Sequence, residues 1–234
     1  MSVTKPVAEL RLMANPAKAK ILQGFFKTGK GEYGAGDIFW GIPVPKERQL
    51  VKKYWQKLSL NDLDKLLSSK VHEQRLLALL IQVTQYEKGD TAAKNRIYKH
   101  YLARTAYINN WDLVDLSAPK IVGEHLQNKN RKILYTLARS KNLWKKRIAV
   151  ISTFAFIKQG QARDTLAIVK LLLTDKHDLI HKACGWMLRE VGKRCSEITL
   201  LKFLDQNRGR MPRTMLRYAI ERLPRQKQLS YLKH

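Results

Sequence analysis

The sequence predicts an all-α fold, an α-α superhelix (solenoid) of HEAT-like helical repeats with a concave basic groove. Three observations support this prediction. Apolar residues recur at the 3.6-residue spacing of helices over long windows, while strand signals are nearly absent. A short pattern repeats about every 35 residues. Lys and Arg number 45 against 19 Asp and Glu, which gives a formal net charge of +26.

The helical period is clearest between Leu76 and Val83, and again between Ile148 and Ala155. Ser59 followed by Asp62 has the spacing of a capping box, which marks a helix start. Glycine-containing breaks then separate the periodic segments. Helices are predicted over residues 5–27, 45–57, 60–68, 72–87, 91–107, 110–127, 130–138, 144–158, 161–173, 177–192, 196–205 and 211–223.

Residues 29–45 interrupt the helical pattern with several glycines and prolines. The segment lacks the Gly-Lys-Ser/Thr ending of a phosphate-binding loop, so an irregular surface loop is predicted. We expect one domain over residues 1–234. Its N-terminal helices and Gly-rich loop occupy residues 1–45, and the repeats occupy about 46–225.

The repeat aligns Arg75, Trp111, Arg147, Lys182 and Arg217, which follow one another at intervals of 36, 36, 35 and 35 residues. A period of this length with two helices per unit is typical of HEAT, armadillo or tetratricopeptide solenoids, and the tetratricopeptide signature residues are absent. Equivalent positions in stacked helices share a concave face, so the cations would form a basic stripe. For any one of them, a stabilising role on a solvated surface is an equally good interpretation.

The charge excess indicates a polyanionic partner, since self-repulsion of this size opposes folding. Two cysteines, Cys184 and Cys195, lack a CxxC spacing and indicate a reducing compartment. The chain shows neither a signal-peptide pattern nor an apolar run of about 18 residues. We therefore expect a cytoplasmic bacterial protein, associated with the nucleoid through its function, and no membrane partner.

The segment Asn-Trp-Asp-Leu-Val-Asp at residues 110–115 departs from the basic repeat. Trp111 replaces the cation, and Asp115 lies four residues later on the same helix face. A carboxylate repels the DNA backbone, so its presence in a groove lined with cations indicates that it has a role of its own. Asp112 points about 100° away and is assigned a structural role at the helix N-terminus. By repeat register, Arg147 and Trp186 are expected to face the same groove.

Other candidate residues have simpler interpretations. The remaining tryptophans, Trp40, Trp55 and Trp144, are expected to pack in the core or at helix starts. His177 and His181 are four residues apart, but no third ligand is visible, so no metal site is predicted. A dense arginine run either contacts phosphates or forms a solvated face; it comprises Arg208, Arg210, Arg213, Arg217 and Arg222.

Five segments together resemble the AlkD family of alkylpurine DNA glycosylases. They are DIFWGIPVPKERQLVKKYW, EQRLLALLIQV, NWDLVD, LWKKRIAVISTF and KACGWMLREVGK. The resemblance covers roughly residues 20–225, and the WDxVD and GWxLRE pieces are fairly specific in combination. One departure is Pro43, where some members carry a polar residue.

The resemblance implies a catalytic role for Asp115, with Trp111 and Trp186 packing against the sugar of the damaged nucleotide. It implies that Arg147 contacts the DNA backbone at the lesion and that Arg189 contacts a further phosphate. The DNA-binding prediction also includes Lys146, Lys182, Arg213 and Arg217. The family uses no metal and no cofactor. The expected partner is duplex DNA containing alkylated purines, bound by a monomer.

The chemistry fits this assignment. A purine alkylated at N3 or N7 is cationic and leaves without a general acid, while positive charge develops on the sugar as an oxocarbenium ion. A carboxylate stabilises that ion and positions water, and indole faces favour it. No lysine is placed for Schiff-base strand cleavage, so a monofunctional glycosylase is predicted. The alternative is a non-catalytic HEAT-like scaffold that grips DNA or RNA.

Overall fold

The structure, a computed structural model, describes residues 3–233. Regular structure in this range is helical, and extended backbone pairs there only at an isolated parallel bridge between Ile38 and Val71. The all-α prediction is confirmed. No helix in the described range has the length and apolar character needed to cross a membrane.

The chain divides into two compact units between Ser117 and Ala118. The predicted single domain over residues 1–234 stays a prediction. The helices of the N-terminal unit are α1 (Thr4–Leu12), α2 (Pro16–Phe25), α3 (Val44–Tyr54), α4 (Leu60–Leu67), α5 (His72–Lys88), α6 (Thr91–Ala103) and α7 (Trp111–Ala118), the last of which reaches the boundary.

Helix α5 is the centre of the N-terminal unit, because α3, α4 and α6 all pack against it. Its side chains from Leu76 to Ile81 are almost completely buried, as are Leu63 and Leu66 of α4. The predicted capping box forms at the start of α4, where Ser59 Oγ accepts from the Asp62 backbone N–H at 3.2 Å. The middle of α5 is therefore enclosed on all sides, and the apolar residues that predicted the helix are buried there.

The predicted helix over residues 5–27 is wrong, since the chain breaks into α1 and α2. Asn15 is extended and its Oδ1 accepts from the Lys18 backbone N–H at 3.0 Å. Pro16 then occupies the first turn of α2, where its missing N–H costs nothing. An N-cap followed by proline stops one helix and starts the next.

The Gly-rich segment is only partly the surface loop that was predicted. Its first half is exposed, but Gly34, Asp37 and Phe39 are buried. The bridge at Ile38 ties the loop to the residue before α5. The Glu73 carboxylate of α5 then accepts hydrogen bonds from the backbone N–H groups of residues 40–42, at 2.7 to 3.3 Å.

The C-terminal unit contains α8 (Lys132–Ala138), α9 (Leu143–Ser152), α10 (Phe154–Ile157), α11 (Arg163–Leu172), α12 (Asp178–Arg194), α13 (Glu197–Asn207), α14 (Arg213–Ile220) and α15 (Arg225–Leu232). Within this unit α12 packs against α9, α11, α13 and α14. Every aligned repeat position lies on a helix, namely α5, α7, α9, α12 and α14.

Three features in and around this unit differ from the prediction. The helix expected over 110–127 turns into a π-helix at Pro119–Gly123, because proline cannot supply the backbone N–H that an α-helix needs. The helix expected over 144–158 is divided at Thr153 into α9 and α10. Helix α15 was not predicted, since Tyr231 is its one buried residue in the described range.

Gly185 allows α12 and α14 to approach closely. A Cβ atom at this position would lie 2.5 Å from the Met215 carbonyl oxygen and 2.5 Å from Tyr218 Cβ. The Met215 oxygen is a backbone atom and cannot rotate away. The glycine before Trp186 is therefore a packing requirement.

We expect Gly185→Ala to lower the free energy of unfolding by about 1–3 kcal/mol, since an inserted methyl group forces the two helices apart. Urea unfolding followed by circular dichroism measures the change. The matched control is Gly24→Ala in α2, where a Cβ meets nothing within 4 Å. That control should leave stability unchanged or raise it by up to about 1 kcal/mol. Equal stability of the two variants would contradict the packing role of Gly185.

Candidate functional site

Helix α7 presents Trp111 and Asp115, the predicted catalytic residues of the N-terminal unit. Its start is fixed by Asn110, which is completely buried. The Asn110 Oδ1 accepts from the Trp111 backbone N–H at 2.8 Å, and its carbonyl accepts from Val114. Both Trp111 and Asp115 are half-buried, so each keeps some contact with solvent.

An aromatic cluster surrounds Trp111. Its ring stacks on Phe26 with centroids 5.0 Å apart and an angle of 6°. Phe25 contacts the indole edge-on at 5.9 Å and is 62% exposed. Phe26 stacks in turn on the buried Phe39 at 4.8 Å. These phenylalanines were missed by the sequence analysis, which treated their segment as a helix end and a loop.

A buried chain of charged side chains lies behind the same helix. His72 Nε2 is 2.8 Å from Asp112 Oδ2, and His72 Nδ1 is 3.1 Å from Asp37 Oδ2. Arg75 Nη2 lies 2.7 Å from the same Asp37 oxygen, which also accepts from Asn110 Nδ2 at 3.2 Å. The structural role predicted for Asp112 agrees with this position. Its second oxygen, Oδ1, accepts from the Leu113 backbone N–H at 2.8 Å.

Neighbouring charges keep the buried His72 and Asp37 side chains ionised. Burial opposes the imidazolium form, but the Asp112 carboxylate and then Asp37 outweigh burial and raise the pKa of His72 to about 9. Burial likewise opposes the Asp37 carboxylate, yet His72 and Arg75 hold the pKa of Asp37 below its ordinary value. At neutral pH a protonated His72 therefore lies between two carboxylates.

Two further buried groups have pKa values raised by burial and by nearby carboxylates. Glu47 on α3 is fully buried, and neither of its oxygens has a hydrogen-bond partner among the described residues. Burial, then the charges of Glu73 and Asp112, raise its pKa well above the ordinary value. Tyr101 is buried and hydrogen-bonded to Ser117 at 2.9 Å. Burial raises the pKa of Tyr101, and the nearby charge of Asp115 adds to the rise.

In the C-terminal unit, Arg147 is more enclosed than a phosphate contact was expected to be. The residue is 5% exposed, and its Nη1 donates to the Leu179 carbonyl at 2.6 Å. The neighbouring Lys146 forms an ion pair with Asp175, which also accepts from the His177 backbone N–H at 2.9 Å. Trp186 on α12 is half-buried, with its ring 6.2 Å from that of Phe154.

The remaining predicted DNA-binding residues differ in their surroundings. Lys182 forms an ion pair with Asp178 at 2.7 Å, and Arg189 forms ion pairs with Glu221 and Glu190. On α14, Arg217 is exposed. Arg213 is also exposed and donates to the Leu232 carbonyl.

The structure corrects the basic stripe at one repeat position. Arg75 is buried and forms an ion pair with Asp37, so a stabilising role is the better interpretation for this residue. The other cations of the row stay predicted DNA contacts. His177 and His181 interact with nearby backbone, and within residues 3–233 no group of three or more His, Cys, Asp and Glu side chains could hold a metal ion.

The site residues are thus gathered within each unit. Trp111 and Asp115 share α7 in the first. In the second, Lys146 and Arg147 lie on α9, and Lys182, Trp186 and Arg189 lie on α12. Their assembly into one groove, and the function of each, stay predictions.

Comparisons with known proteins agree with the fold. A family model described as DNA alkylation repair enzyme matches residues 7–223. A solved structure of a predicted DNA alkylation repair enzyme from Enterococcus faecalis is similar, with a TM-score of 0.68 and 17% identity. The alignment covers 91% of this chain and 98% of that one. At this identity the likeness shows the fold, and it confirms the predicted helical-repeat class. No curated protein matches significantly. Because the family model spans nearly the whole sequence, the chain belongs to the DNA alkylation repair enzyme family.

Proposed function

We propose that the protein is a monofunctional DNA glycosylase that hydrolyses the N-glycosidic bond of purines alkylated at N3 or N7 in duplex DNA. The observation that carries the proposal is the placement of Asp115 four residues after Trp111 on α7, both partly open to solvent. A carboxylate beside an indole on a protein of net charge +26 opposes DNA binding. Its presence is explained if it acts on a cationic transition state.

Asp115 has the chemistry that such a substrate needs. The alkylated base already carries a positive charge and departs as a neutral purine, while the sugar becomes an oxocarbenium ion. A carboxylate about 4 Å from that cation, at an effective dielectric constant near 20, stabilises it by about 4 kcal/mol. This corresponds to roughly a thousandfold in rate. An unmodified base needs more help to leave, so the lesion itself supplies selectivity.

Trp111 supports the same step. Its indole packs against the stacked Phe26 ring and, at an angle of 78°, against Phe25, and these contacts restrain the side chain. An aromatic face beside a developing cation stabilises it through the ring quadrupole. Trp186 is proposed to act similarly from the C-terminal unit.

Binding is proposed to come from the cations of the C-terminal unit. Arg217 and Arg213 are exposed on α14. Lys146 and Lys182, which form ion pairs with Asp175 and Asp178, are proposed to exchange these carboxylates for phosphates. Arg147 is proposed to contact the backbone at the lesion, and Arg189 a further phosphate. Such contacts fix the register of the protein on the duplex without reading sequence.

We expect Asp115→Asn to slow release of 7-methylguanine or 3-methyladenine from methylated duplex DNA by about a thousandfold, since the carboxylate charge is lost. Binding to the same DNA should persist. Single-turnover kinetics and fluorescence anisotropy measure the two quantities.

The matched control for that experiment is Asp90→Asn. Asp90 is exposed and caps α6 by accepting from Ala93 at 2.7 Å, and asparagine caps a helix equally well. It removes the same charge without touching α7, so its activity should match the wild type. If wild-type protein binds DNA but releases no alkylated base, the glycosylase proposal fails and the scaffold interpretation replaces it.

We expect Arg217→Gln to weaken DNA binding at every sequence and to reduce the slope of log affinity against log salt by about one. The reason is that an exposed cation neutralises one phosphate and releases its counterions. Titrations at several salt concentrations measure the slope. Lys65→Gln, an exposed cation of α4 outside the predicted DNA-binding set, serves as the comparison. Lys65→Gln should keep the wild-type slope, and a wild-type slope in Arg217→Gln would remove Arg217 from the interface.

A further inference from the structure

Three separate parts of the N-terminal unit meet at His72. Asp37 comes from the Gly-rich loop, His72 from the first turn of α5, and Asp112 from the first turn of α7. The imidazole is 2% exposed and contacts one carboxylate through each ring nitrogen, at 3.1 and 2.8 Å. Burying three ionisable groups is costly unless they pair, so their arrangement is specific.

The Asp112 end of this row of charged side chains lies beside the predicted catalytic residues in the sequence. Asp112 follows Trp111 directly and precedes Asp115 by three residues, which is less than one helical turn. The contact between Asp112 and His72 therefore restrains the helix turn that carries Trp111 and leads to Asp115.

A second path joins His72 to Trp111. The imidazole stacks on Phe39 with centroids 4.4 Å apart and lies 5.1 Å from Phe26. Phe26 is the ring on which Trp111 stacks at 5.0 Å. The position of the imidazole is thus transmitted to Trp111 through backbone on one side and through packed rings on the other.

We propose that Asp37, His72 and Asp112 act as a positioning network that fixes the first turn of α7, so that Trp111 and Asp115 adopt the orientation required for base release. This inference rests on the proposed function. His72 is a positioning residue and not a catalytic one, because it is enclosed and acts through Asp112 and Phe26.

The charges around His72 determine how the network responds to pH. Asp37 faces it from the loop, Arg75 from α5 and Asp112 from α7, while Glu47 of α3 is coupled to Asp112. Deprotonation of His72 removes the positive charge that lies between the two carboxylates and leaves Arg75 beside Asp37 alone. The hydrogen bond to one of them is then lost, since a neutral imidazole has a single N–H.

NMR measures whether the surroundings of Trp111 change when His72 titrates. The carbon-bound indole ¹H–¹³C resonances of Trp111, assigned with Trp111→Phe, are followed from pH 6 to 10.5 beside the His72 ring resonances, because carbon-bound protons do not exchange with water. We expect the two to titrate together, with a midpoint of about 9. In His72→Gln and in Asp112→Asn the indole resonance should be displaced at pH 7 and should lose this titration or change its midpoint.

A matched control is available in the same unit. His100 Nε2 lies 2.9 Å from Asp64, which also binds Arg104. Asp64→Asn therefore weakens a second histidine–aspartate pair away from Trp111, and it should leave the Trp111 resonance and its titration unchanged. If His72→Gln does not fold, Asp112→Asn carries the test, because asparagine keeps the shape and the acceptor oxygen.

Kinetics then separate positioning from binding. Single-turnover base release at saturating enzyme and pH 7 should fall about 100-fold in His72→Gln, with DNA affinity changed less than about threefold. If the Trp111 resonance is unchanged in His72→Gln and does not shift with pH, the positioning network is wrong, whatever the activity of the variants. Absence of base release by wild type, together with the expected titration, overturns only the proposed function.

Discussion

The N-terminal unit depends on the carboxylate of Glu73. This side chain, in the first turn of α5, accepts from the backbone N–H groups of Trp40, Gly41 and Ile42. These amides belong to an irregular segment and are enclosed or half-enclosed, so without an acceptor their burial would be costly. One charged group thereby fixes the loop that leads into α3, and negative charge at a helix N-terminus is itself favourable.

The surrounding geometry follows from that anchor. Gly41 has φ of +78°, and a Cβ there would lie 2.2 Å from the Asn15 carbonyl oxygen, so the fixed loop also sets where α2 begins. Asn15 returns a hydrogen bond from its own N–H to the Trp40 carbonyl at 2.8 Å. His72, one residue before Glu73, is left to face Asp37 and Asp112. Two adjacent side chains of α5 thus organise a loop and a second helix.

Much of the fold could be predicted because the apolar residues of a packed helix recur at helical spacing in the sequence. The period in α5 and α12 was sufficient to place both helices. Helix α15 escaped because it buries only Tyr231 in the described range, which leaves no period to detect. Trp111, Asp115 and Trp186 were singled out by repeat register and by resemblance. His72 and Asp37 are 35 residues apart, and a lone histidine and a lone aspartate carry no signal of their pairing. Arg75 was misread for the same reason, since its partner Asp37 was expected in a surface loop.

Under the proposed function, the ion pairs of the C-terminal unit would limit how long the protein stays on DNA. Lys182 already forms an ion pair with Asp178, and Lys146 already forms one with Asp175. A phosphate must compete with these carboxylates, so each contact contributes only the difference between two similar attractions. The affinity for an intact duplex would therefore be lower than the number of basic residues suggests. Weak, exchangeable contacts would shorten each visit, so that the proposed glycosylase would sample more of the duplex in a given time.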